Sequence, residues 1–235
     1  MKKMTLSQHF SELRNRILFV AAVFAIAFMG GLVVEPWMQQ FLTQPLINVW
    51  PDGTLLYTGL TDGLIISFSM AGLFALLVTT PVLLWNMWAF ISPGLKKQER
   101  NFIWPILILS PLLFIVGAGF AFWFLFPVVF KFFVDLNQSA PVPSVLMPAL
   151  RNYLGFAVGM MKVFGVAFQL PLVLVMLNKF GLLRRSQMIE MRRYAIVIIV
   201  IVAAILTPPD IVSQVMLAVP MWGLFEISIL FMRKD

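Results

Sequence analysis

The chain has 235 residues, 61% hydrophobic and only 11% charged, with a mean hydropathy of +0.95. A soluble domain of this size cannot hide so much apolar surface, whereas a lipid-embedded protein leaves its outer face in hydrocarbon. With no cysteine, disulfides, thiol catalysis and Cys-based metal sites are excluded, and the net charge of +7 is spread over connectors without the interleaved aromatics of a nucleic-acid surface.

Taken in order, residues 5–16 come first. Thr5 followed by Gln8 fits a capping box, and Leu6, Phe10, Leu13 and Ile17 recur at helical spacing. This predicts an amphipathic helix over residues 1–16, lying at the cytoplasmic interface and turning into the first span. Glu12 on its polar side either pairs with Arg16 at i, i+4 or faces a basic ligand. Six apolar stretches follow, at about 17–37, 64–91, 103–130, 152–178, 194–209 and 211–232. A span needs about 20 apolar residues, so the first four qualify and the last two are short. The first run is full span length and lacks a cleavage site, so no cleavable signal peptide is expected.

The connectors alternate in charge. All Lys and Arg fall before span 1, between spans 2 and 3, between spans 4 and 5 or after span 6, except Lys131, Arg151 and Lys162. The positive-inside rule then places both termini in the cytoplasm. Residues 38–63 read as an external loop, with turn signals at Pro45, Pro51, Gly53 and Gly59, and Asp62 suits the N-terminus of the second span. Pro81, Pro105, Pro111, Pro171 and Pro220 lie inside spans and predict kinked helices. Gly117-Ala118-Gly119 and Gly155-x3-Gly159 offer close helix packing. The expected fold is therefore an all-α integral membrane protein, one polytopic domain over 1–235 with six helices forming a concave scaffold.

Few residues carry chemistry. The connector 92–102 holds one acid, Glu99, so Glu12 and Glu99 are two carboxylates on one cytoplasmic face. A guanidinium matches a carboxylate with a planar two-pronged fork, so two such acids suit two adjacent arginines; the bland alternative for each is a surface ion pair of little worth. Inside the fourth span Lys162 and Gln169 share a face two turns apart. A charge at mid-bilayer costs roughly 2.5–3.5 kcal/mol on insertion scales, so Lys162 must snorkel, meet water or find an acid, with Glu226 of the last span as a candidate. This polar group reads either as an interhelical hydrogen-bond cluster or as a patch that recruits another membrane helix. His9 is the single histidine, and no HExxH, GxSxG or phosphate loop occurs. Neither catalysis, a metal nor a cofactor is expected.

Several strings together resemble one family. They are His9-Phe10-x-Glu12-Leu13-Arg14-x-Arg16, Trp88-Ala89-Phe90-Ile91-Ser92-Pro93-Gly94-Leu95 followed by Glu99-Arg100, Phe164-Gly165-x-x-Phe168-x-x-Pro171, Thr207-Pro208-Pro209-Asp210-x3-Gln214, and Pro220 with Phe225-Glu226-Ile227. In this order they resemble the TatC family, core subunits of the twin-arginine protein translocase. The resemblance implies binding of signal peptides with paired arginines and export of folded proteins driven by the proton-motive force. It implies TatA-like and TatB-like single-span partners, other copies of the chain, and the cytoplasmic membrane of a bacterium or archaeon in preference to a thylakoid. Glu12 and Glu99 match the family's signal-binding acids, Phe90 and Arg16 neighbouring functional positions, and Pro45 and Asp210 positions in the external loop and last turn. Gln169 stands where much of the family has Glu; an amide still docks a partner helix but cannot titrate. From the residues alone, a small-solute transporter or ion channel and a non-transporting membrane assembly factor remain the alternative classes.

Overall fold

The computed structural model describes residues 6–51, 53–91, 103–139, 147–207 and 210–233. Among them every regular element is a helix: α1 (Leu6–Val49), α2 (Asp62–Ile91), α3 (Ile103–Phe120), a π-helical turn (Ala121–Leu125), α4 (Phe126–Gln138), α5 (Leu150–Ala167), α6 (Leu170–Lys179), α7 (Arg185–Glu190), α8 (Arg192–Leu206) and α9 (Ile211–Phe231). The one β-type pairing among them is a parallel bridge between Leu56 and Ala149.

Among the described residues, five stretches are long and apolar enough to cross a membrane: Phe10–Val49, Asp62–Met87, Ile108–Gln138, Leu150–Lys179 and Ile211–Phe231. Of the two spans expected to be short, the last is not: α9 has 21 residues and is long enough to span, whereas the stretch expected as a fifth span is α8, with 15 residues. At 1.5 Å per residue it is about 22 Å long, short of the roughly 30 Å hydrocarbon core.

Three boundaries differ from expectation. The interfacial helix is not a separate element, because α1 runs from Leu6 without a break; Thr5 of the expected cap lies outside the described residues. The first loop starts later than residue 38, since α1 continues to Val49 and holds Pro45 inside a helix. The reason is apolar periodicity that outlasts the proline: Leu42 and Leu46, one turn apart, are both buried. The third span also extends past residue 130, to Gln138.

Two of these spans are interrupted for covalent reasons. Pro127 has no N–H to give the carbonyl four residues back, and just before it the chain widens into the π turn, with Phe126 N–H donating to the Ala121 carbonyl. Pro171 has the same effect between α5 and α6, where Gln169 N–H donates to the Val166 carbonyl at 2.9 Å, a tighter turn.

The helices form two compact units, one from residues 1–38 and 67–111, the other from 39–66 and 112–235. In the first, a Cβ on Gly31 would come within 2.8 Å of Ala71 backbone, so α1 and α2 touch backbone to backbone. In the second, Phe126 and Phe164 are fully buried, and a Cβ on Gly117 would stand 2.4 Å from the Phe164 carbonyl oxygen. Gly155 and Gly159 behave differently: an added Cβ would meet nothing within 4 Å at either.

One end of the second unit is tied by polar contacts. Leu56 N–H donates to the Pro148 carbonyl at 3.1 Å and Leu150 N–H to the Leu56 carbonyl at 2.9 Å. Beside them the buried Asp62 carboxylate accepts from Thr58 N–H, Thr58 hydroxyl and Gly59 N–H at 2.9, 2.8 and 2.8 Å, and from Arg151 at 3.3 Å. The expected helix-terminus role is thus only part of what Asp62 does. At the other end Gly181, with φ of 74°, closes α6 in a left-handed turn. There the Asn178 amide accepts from Arg233 N–H at 2.7 Å and donates to the Leu183 carbonyl at 2.9 Å.

Candidate functional site

Within the first unit, α1 and α2 flank an open groove of about 580 Å³. Its walls are apolar: Leu13, Ile17 and Phe24 from α1, Leu76 and Leu83 from α2. Arg16, Asn86 and Phe90 line it near the start of α1 and the end of α2. Sequence spacing explains the wall, since Leu13, Ile17 and Phe24 lie four and seven residues apart on one side of α1.

Glu12 and Arg16 form the predicted i, i+4 pair, with Arg16 Nη2 and Nε donating to Glu12 Oε1 at 2.6 and 3.0 Å. Arg16 Nη1 also donates to the Asn86 carbonyl at 3.2 Å, which fixes the guanidinium against α2. The second carboxylate oxygen, Glu12 Oε2, is buried and has no hydrogen-bond partner among the described residues. Removing a carboxylate oxygen from water without a donor is costly, so this oxygen keeps the capacity to accept an N–H. The arginine that neutralises Glu12 spends only one of its oxygens. Thr79 Oγ1, in the groove wall, is also buried without a partner among the described residues.

Of the four residues expected to bind the signal peptide, Arg16 and Phe90 share the groove lining and Glu12 is bound to Arg16. The fourth, Glu99, lies outside the described residues. The expected intramembrane polar group divides. Lys162 is exposed on α5 and Gln169 half-buried at the α5–α6 junction. Glu226 is not the partner of Lys162: it binds Arg192 at 2.8 Å, because α8 and α9 pack together and bring these two termini level. Asp210 caps α9 by accepting from Ser213 N–H at 2.6 Å; Pro208 and Pro209 of the same turn lie outside the described residues. The Asp62–Arg151 pair and the Asn178 clamp were missed, since their partners are 89 and 55 residues away and no local spacing marks them.

A family model described as the Sec-independent protein translocase protein TatC matches residues 8–220. The chain belongs to the TatC family. It is 35% identical over 233 residues to the TatC of Desulforapulum autotrophicum, covering 99% of this chain and 85% of that one. It is 33% identical over 226 residues to TatC of Escherichia coli, covering 96% and 86%. A crystal structure of the twin-arginine translocase receptor TatC superposes with a TM-score of 0.81 at 30% identity, over 95% of this chain and 97% of that one; a second, in the detergent DDM, gives 0.84 over 96% and 99%. TatC membership makes the chain a multi-pass membrane protein and a core subunit of the twin-arginine translocase, with a transport role exercised alongside other components of that machine.

Proposed function

We propose that this TatC protein is the receptor for signal peptides bearing paired arginines, and that Glu12 and Glu99 hold the two guanidinium groups. The observation that carries the reading is Glu12 Oε2, buried next to an apolar groove and without a partner among the described residues. A guanidinium supplies the missing donors in a fixed fork, and each charge-assisted hydrogen bond contributes about 1.5–3 kcal/mol. Lysine lacks the fork, which gives the preference for Arg-Arg over Lys-Lys. Arg16 is the positioning residue: it holds Glu12 and braces it on Asn86. Phe90 offers a ring face for a guanidinium.

The chain acts as one polytopic domain with six spans, α8 being the short one, and with both termini in the cytoplasm of a bacterium or archaeon. The charge pattern of the connectors supports this orientation. Pro45 and Asp210 then lie toward the external face. Export of folded cargo uses the proton-motive force together with TatA-like and TatB-like single-span partners and further copies of the chain. Lys162 and Gln169 serve as the docking site for one such partner helix, and an amide suffices at Gln169 because docking needs hydrogen bonding and not titration.

The test is equilibrium binding of labelled signal peptides to the protein in nanodiscs. The Arg-Arg peptide is expected to bind at least tenfold more tightly than the Lys-Lys peptide, with Glu12→Ala and Glu99→Ala each weakening it. Equal binding of both peptides, unchanged by either substitution, would refute the receptor reading and make solute uptake into liposomes the next assay.

A further inference from the structure

A second hollow lies within the other unit, where the end of α1 meets α4 and the start of α5. It measures about 290 Å³, room for about ten groups of water or methylene size at about 30 Å³ each. Five rings line it, those of Trp50, Phe130, Phe133, Tyr153 and Phe156. The Phe130 ring stands 5.0 Å from that of Tyr153 and 6.0 Å from that of Phe156. The Tyr153 hydroxyl is spent on the Leu42 carbonyl at 2.6 Å. Such walls offer water few partners, and an empty hollow forfeits the dispersion contacts of every ring. An apolar guest is what they accept. Tyr153 and Phe156 lie in the first two turns of α5, and Phe130 is eight residues before the end of α4. At 1.5 Å per residue the rings are about 5 to 12 Å below those helix ends, the depth at which head groups give way to acyl chains.

Two of the three bases that stand outside the basic connectors adjoin this hollow. Lys131 follows Phe130, and Arg151 lies two residues before Tyr153, so the packing of those two rings sets both bases at nearly one level. Lys131 is exposed and, among the described residues, is in none of the ion pairs, not even with Asp135 one turn on. Arg151 is half-exposed, and among the described residues its contact with Asp62 takes a single nitrogen at 3.3 Å. The other guanidinium N–H groups keep their donor capacity. The orientation proposed above puts this end outside, where bases are scarce. Two exceptions beside one apolar hollow mark a guest that is apolar in one part and anionic in another.

We propose that this hollow is a phospholipid site of the outer leaflet, in which one acyl chain enters among the rings and the lipid phosphate is held by Lys131 and Arg151. Size excludes a partner helix: one turn about 10 Å wide and 5.4 Å high fills about 420 Å³, more than the hollow holds. A free anion leaves the rings bare, and a neutral alkyl chain leaves the two bases unmet. A phospholipid satisfies both. An acyl chain already in hydrocarbon gains little by changing apolar neighbours, so the phosphate contacts set how long the lipid stays. Arginine contributes its fork and lysine a point charge, both suited to phosphate. The site is separate from the groove between α1 and α2 and does not depend on the receptor reading.

The test titrates the full chain in maltoside micelles with a phosphatidylglycerol that carries a diazirine on its acyl chain. After irradiation, peptide mass spectrometry maps the labelled residues. Label is expected to saturate and to concentrate on residues 130–134 and 153–156. Lys131→Gln and Arg151→Gln should each raise the half-saturating concentration about tenfold. Val134→Trp, at a buried wall position, should fill the hollow and remove the label from Phe156. Lys131→Gln, at an exposed side chain, carries the test if Val134→Trp fails to fold. Label spread evenly over the apolar surface, or unchanged by Lys131→Gln and Arg151→Gln, would overturn the inference. Equal labelling by a diazirine-bearing alkyl maltoside would overturn it too, since any alkyl chain would then serve. Release of the lipid by excess inorganic phosphate would also overturn it, because the bases would then take the anion alone.

Discussion

Glu12 is proposed to serve the fold and a ligand together. Its Oε1 is held by Arg16, and its Oε2 is shielded and unbonded among the described residues. Glu12→Gln removes the charge while keeping the shape, so peptide affinity should fall by about 10- to 100-fold while thermal stability stays near wild type; peptide titration beside a melting curve checks both. Arg16→Ala should weaken peptide binding less, because the carboxylate survives but loses its brace on Asn86. Asp62 offers the contrast of a purely structural acid. Asp62→Ala strands the Thr58 and Gly59 N–H groups and should lower the melting temperature, whereas Arg151→Met, at a half-exposed partner 3.3 Å away, should lower it less.

The helices were legible where apolar length alone decides them and illegible where a break depends on three-dimensional packing. Five of the six expected stretches contain described segments long enough to span, and the short penultimate one is short in the structure. Pro171 announced the break between α5 and α6, and the Glu12–Arg16 pair followed from i, i+4 spacing. Pro45 misled, because a proline inside a run that keeps its buried face does not end the helix. Nothing local marked the π turn beyond Pro127, or the pairing of Asp62 with Arg151. Glycine pairs were ambiguous in sequence and are separated by geometry. Gly117→Ala pushes a methyl into the Phe164 carbonyl and should destabilise by about 1–3 kcal/mol. Gly155→Ala meets open space and should leave the melting temperature of the isolated protein unchanged, which a side-by-side melt will show.

At the scale of the whole molecule, the proposed orientation rests on the uneven distribution of Lys and Arg. The chain has no cysteine, so single introduced cysteines report sidedness cleanly. Ser186→Cys in α7 should react with a membrane-impermeant maleimide only from the cytoplasmic side, and Leu60→Cys only from the opposite side. The central claim is that Glu12 receives an arginine of the signal peptide. A double-mutant cycle tests it most directly, pairing Glu12→Gln with Arg→Lys at each arginine of the peptide and measuring affinity in nanodiscs. The account predicts a coupling of about 1–3 kcal/mol with one of the two arginines. Coupling within about 0.5 kcal/mol of zero for both arginines would contradict it and place the recognition site elsewhere.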